Sequence, residues 1–118
     1  MSRDIFVQDL PALAKTAADI PKDFKPRPIG TSDEIIEKIQ RVVPDADFSD
    51  VEWGVIEGPT YSIEVNVHKA ESVQAFALHV RGDNAADAVI TEIIGALGLR
   101  ALDSESATGF FEPEHAPS

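Results

Sequence analysis

The sequence predicts an α+β fold: a two-layer sandwich whose antiparallel sheet of three to five strands, built on a central meander, carries two helices on one face. Three observations predict it. "YSIEVNVH" (61–68) and "SVQAFALHV" (72–80) alternate apolar and polar residues, the period of strands with one buried face. Ile35, Ile36, Ile39, Val42 and Val43 recur at helical spacing, as do Ala86, Val89, Ile90, Ile93, Ile94 and Leu97. A sheet and two helices with one apolar face each bury those faces most economically against one another.

Taken in order, Ile5 to Gln8 reads as a short strand. Residues 10–30, "LPALAKTAADIPKDFKPRPIG", hold Pro11, Pro21, Pro26 and Pro28, which remove donors and bias their predecessors towards extended backbone. "AKTAAD" suits a single helical turn. The expected organisation is one domain over 1–118: an extended proline-rich arm (1–30), an α+β body (31–111) and a flexible tail (112–118). Leu10, Ile20, Phe24 and Ile29 are the anchors expected to pin the arm.

The first helix opens at "TSDE", where Thr31 and Glu34 form a capping box and Asp33 and Glu34 suit the helix dipole. Pro44 ends it. In the meander, "KAES" (69–72) reads as a four-residue hairpin loop. If His68 faces Val73, the pairs are Val65 with Phe76, Ile63 with Leu78 and Tyr61 with Val80. The other face then pairs Glu64 with Ala77 and Ser62 with His79. The preceding "VEWGVIEG" joins through Gly58-Pro59-Thr60. A three-residue loop puts Trp53 and Val55 on the apolar face, whereas a two-residue loop puts them beside Glu64. The large apolar area of a tryptophan favours the first.

The tripeptide Arg81-Gly82-Asp83 is expected to be a strand-to-helix junction rather than an adhesion signal. Gly82 frees the turn, and Asp83 or Asn84 caps the second helix within "NAADAVITEIIGALG" (84–98). Gly98 is placed to close that helix in the left-handed conformation, and Gly95 inside it suggests close backbone packing. "LRAL" and "TGFF" read as short edge strands anchored by Leu102, Phe110 or Phe111.

Composition narrows the function classes. A chain of 118 residues with 43% apolar content can bury a core without staples. With no cysteine, there is neither a disulfide nor a thiolate centre. "MSRDIFVQDLP" lacks a signal-peptide pattern, and no segment approaches the roughly 20 apolar residues that span a bilayer. A cytoplasmic location is the expectation. Net charge is −11, concentrated beyond residue 30. That field repels nucleic acid and acidic membranes, and suits a basic protein partner or simple solubility.

No metal or cofactor motif is present. "DADFSD" (45–50) superficially resembles a calcium loop, but has Asp50 where the glycine belongs and Ile56 where the glutamate belongs. The only catalytic candidates are Ser62, Glu64 and His79, a hydroxyl, a carboxylate and an imidazole expected on the polar sheet face. No oxyanion hole accompanies them, and no cofactor is expected. The same face, with the small side chains of Ala75 and Ala77, reads better as a binding surface that the arm either covers or leaves open.

The stretches "RDIFVQDLP", "DIPKDFKPRPIG", "YSIEVNV", "FALHVRG", "GALGLRALD" and "TGFF" span most of the chain. On them the chain resembles a group of short bacterial proteins of unknown function. The resemblance implies a bacterial cytosolic origin and transfers no site residue. The leading expectation is a non-enzymatic protein-binding or accessory module, monomeric or paired through an exposed edge strand. The alternative is a small enzyme or ligand-binding protein using Ser62, Glu64 and His79.

Overall fold

A computed structural model describes residues 2–11, 13–50, 52–103, 105–106 and 108–111. The tail expected at 112–118 lies outside the described residues. Strands β1 (Ser2–Gln8), β2 (Gly54–Glu57), β3 (Tyr61–Asn66), β4 (Ala75–Gly82) and β5 (Arg100–Asp103) form one sheet in the order β2-β3-β4-β1-β5. Every pairing is antiparallel. Helices α1 (Ser32–Val42) and α2 (Ala86–Leu97) complete the α+β fold.

The first strand is longer than "IFVQ" and more central than an arm would be. It lies between β4 and β5 and pairs with β4 over its whole length. Since β4 and β5 both run antiparallel to β1, they are parallel to each other. A crossover must therefore join them, and α2 provides it.

The inner face consists of Ile5, Val7, Ile56, Ile63, Val65, Phe76, Leu78, Val80 and Ala101, which share one buried cluster with Ile35, Ile39, Ile90 and Ile93 of the helices. Arg3 also points inward. Its guanidinium lies 2.7 Å from Asp87 of α2 and 3.4 Å from Asp103 of β5. Both carboxylates are at least nine-tenths buried. A charge so placed is tolerated only when paired.

Helix α1 starts as expected. Thr31 Oγ1 accepts from the Glu34 N–H at 3.1 Å, and Glu34 Oε1 accepts from the Thr31 N–H at 3.0 Å. Helix α2 starts differently. Its cap position is Ala85, without a side-chain cap. Asp83 instead accepts from the Ala85 N–H and from the Thr60 hydroxyl, tying the end of β4 to the β2–β3 turn. Gly82 ends β4 opposite Tyr61 with φ +108°, and a Cβ there would fall on the Thr60 carbonyl oxygen. Arg81-Gly82-Asp83 is thus a junction, as its residue types predict. Gly98 closes α2 at φ +66°, with the Leu99 N–H on the Ile94 carbonyl at 3.0 Å. Gly95 does not mark close packing: a Cβ there would meet nothing within 4 Å.

The β3–β4 register differs from the expected one by two residues. Ile63 faces Val80, Val65 faces Leu78 and Glu64 faces His79. The connection is no tight hairpin, because residues 67–74 wrap against the start of α1. Val67 and Val73 are buried, Val73 exchanges hydrogen bonds with Ile29 and Gly30, and the Ser32 N–H reaches the Ala70 carbonyl. Burying both valines lengthens the connection, and the ladder closes two residues later.

The β2–β3 register also differs. Glu57 faces Ser62 and Val55 faces Glu64, so four residues (58–61) lie between the last pair. An even number places Ile56, not Val55, in the core, and turns Trp53 to the outer side. Both outer edges are partly occupied. Asp47 and Val55 exchange two backbone hydrogen bonds of 2.9 Å along β2. Along β5, the Asp103 N–H reaches Gly109 and the Phe111 N–H reaches Ala101.

Candidate functional site on the open sheet face

The outer face carries the alternate residues of each strand. Across it runs one row in register: Asp4 of β1, His79 of β4, Glu64 of β3 and Val55 of β2. The next row towards the β3–β4 connection is Phe6, Ala77 and Asn66. On the other side lie Arg81, Ser62 and Glu57.

The proline-rich segment covers only the β5 end of this face. Leu10, Ala14 and Phe110 form a second buried cluster, against which Ile20, Phe24 and Leu102 pack. Three of the four expected anchors serve there, while Ile29 packs on the main core. Arg100 locks the segment down. Its guanidinium donates to the Pro11 and Ala14 carbonyls and sits 3.9 Å from the centre of the Phe110 ring. Cover ends at β1, where Phe6 remains 42% exposed.

Beyond that boundary is a wide, shallow depression of about 300 Å³, lined by Phe6, Asn66, His68, Ala75, Ala77 and His79. The two alanines form its floor because their short side chains leave room that larger outer-face residues would fill. His79 Nδ1 lies 2.7 Å from Asp4 Oδ1. A carboxylate only accepts, so Nδ1 carries the proton and Nε2 is the acceptor of the neutral ring. Trp53 stacks on the same imidazole, with centroids 6.3 Å apart and planes 29° apart. Trp53 is 47% exposed.

Of the three residues proposed from the sequence, the fold brings two together. Glu64 stands beside His79 rather than opposite Ala77, while Ser62 stands opposite Arg81 rather than His79. The imidazole's bonded carboxylate is Asp4, which lies 75 positions away in the chain. Alternation in "RDIFVQ" puts Asp4 and Phe6 on one side of a strand. Nothing local says which strand that one pairs with.

The assembled groups are two carboxylates, a histidine with an open acceptor and two half-exposed aromatic rings. Aromatic faces beside carboxylates are the chemistry that holds cationic side chains. Among the described residues, no three His, Cys, Asp or Glu side chains converge as a metal ion would require. No helix among them is long and apolar enough to cross a membrane. No protein-family model matches the chain, and no curated protein or solved structure does either.

Proposed function

We propose that the chain is a non-enzymatic binding module of the bacterial cytosol whose open sheet face takes a basic protein partner. One observation carries the reading. Phe6, which lines a depression, and Trp53, which stacks on His79 of that lining, are both left half-exposed, on a face that also presents Asp4 and Glu64. Half-exposed aromatic residues beside a shallow apolar floor are the usual anchors of a protein interface. The net charge of −11 selects a basic partner by long-range attraction. An enzyme built on Ser62, Glu64 and His79 has less support, because Ser62 is paired with Arg81 and the shallow face does little to exclude water.

The test compares wild type, Trp53→Ala and Phe6→Ser as immobilised baits in a lysate of the source organism. The reading expects a basic protein that is retained by wild type, eluted by salt and lost from both variants. Its contact surface on the isotope-labelled chain should contain Ala77 and His79. A partner retained by both variants, or one whose contacts map to α1 and α2, overturns it.

A further inference from the structure

We propose that His79 gates this face by its proton, so that cationic segments dock on the neutral ring and are released when the ring is charged. The inference rests on the reading of the open face as the docking surface for a basic partner. It follows from what surrounds one imidazole.

His79 sits at the centre of the exposed part of the sheet. From β1, Asp4 accepts its Nδ1 proton at 2.7 Å. From β3, Glu64 stands directly opposite in the ladder. From the residues ahead of β2, the Trp53 ring stacks on it. On its own strand, Arg81 lies two residues along on the same side, exposed. His68 and Phe6 line the same depression. Both helices pack on the opposite face and contribute no charge here.

The charge balance of the patch therefore turns on the ring. With His79 neutral, Asp4, Glu64 and Glu57 outweigh Arg81 and the patch is negative. A proton on Nε2 reduces that excess and puts a positive charge between the two carboxylates a cationic side chain would seek. Proton and partner then compete for the same two anions. Histidine is the side chain whose charge changes in the physiological range, and this one keeps about a third of its side chain open to water. The docking is at its strongest above the imidazole's midpoint. Below it, linkage weakens affinity by up to about tenfold per pH unit for one fully competing proton.

The experiment uses the full chain and octa-arginine as the probe, with calorimetry at about pH 8 and about pH 5.5 at fixed ionic strength. Backbone amide shifts at both pH values locate the probe. Wild type should bind more tightly at the higher pH by about tenfold, with shifts centred on Phe6, Ala77 and Glu64. His79→Gln, which keeps a polar side chain but cannot charge, should lose most of that pH ratio.

Binding at this face with the same pH ratio in wild type and His79→Gln overturns the gate and leaves the docking surface standing. Shifts confined to other acidic surfaces at both pH values overturn the docking surface for cations, and the gate with it. Circular dichroism of His79→Gln at both pH values separates a loss of binding from a loss of fold.

Discussion

Trp53 and His79 stack with their ring centroids 6.3 Å apart, although β3 lies between β4, which carries the imidazole, and β2, which follows the indole in the chain. The indole therefore reaches inward across the outer face instead of pointing into water. It is the chain's single tryptophan, so its emission reports on one place.

That emission should depend on the stack. Removing the imidazole in His79→Ala uncovers the indole to water, so its emission maximum should move to longer wavelength. An unchanged maximum means that the stack does not persist in solution.

Trp53 also tests which face the β2 side chains occupy. A core tryptophan cut to a small residue costs about 3 to 5 kcal/mol. At 47% exposure, Trp53→Ser should cost about 1 kcal/mol in urea unfolding. A cost in the core range would place the indole inside the sandwich.

Two glycines should respond to alanine with opposite signs. Gly95 is an exposed helix-interior residue with open space around it, so Gly95→Ala should stabilise by about 1 kcal/mol. Gly82 combines φ +108° with the Thr60 carbonyl where a Cβ would stand, so Gly82→Ala should destabilise by about 2 kcal/mol or more. Thermal unfolding of both variants decides it, and two shifts of the same sign contradict the packing described.

Arg3 pairs with two buried carboxylates at once. Arg3→Met should cost about 3 kcal/mol at neutral pH, because the buried Asp87 and Asp103 lose the guanidinium they share. Like charges raise carboxyl affinities for protons, so this deficit should shrink as pH is lowered. A deficit that is constant with pH would mean that Arg3 contributes only packing.

Several surface carboxylates are held below their ordinary range by local donors. The Thr31 N–H does this for Glu34, the Ser49 hydroxyl for Asp47, the Thr60 hydroxyl for Asp83 and the Lys15 N–H for Asp19. A folded-state value below the unfolded one means stability that is fully present above the ordinary carboxylate range and lost as pH falls through the depressed values. Unfolding in mild acid should therefore show stability rising with pH. Glu34→Gln, which keeps the side chain's length but cannot ionise, should remove Glu34's share of that slope, whereas Thr31→Ala keeps the backbone donor and loses only the hydroxyl that caps the helix. An unchanged slope in Glu34→Gln would show that the Thr31 N–H does not hold Glu34.

Much of this arrangement was legible from local chemistry. Thr31 and Glu34 announced the start of α1, Gly98 the end of α2, and Ile35, Ile39, Ile90 and Ile93 their buried sides. Alternation assigned Ile63, Val65, Phe76, Leu78 and Val80 to the inner face, and Ser62, Glu64, Ala77 and His79 to the outer one. These readings held because each depends on residues within one or two turns, or on the two-residue period of a strand.

The same period explains what was lost. Sliding β3 against β4 by two residues keeps every side chain on its face, so apolar alternation accepts both registers equally. Only the burial of Val67 and Val73 against α1 selects the register that pairs Glu64 with His79. The side of Trp53 turns on whether the β2–β3 connection has an odd or even number of residues, which its composition does not state.

By itself, then, the sequence determined the element types, the two sheet faces and the acidic field. The tertiary structure alone decided which outer-face residues are neighbours. It set β1 against β4 and so delivered Asp4 to His79, because strand pairing is a contest among whole faces that no local stretch of chain can settle.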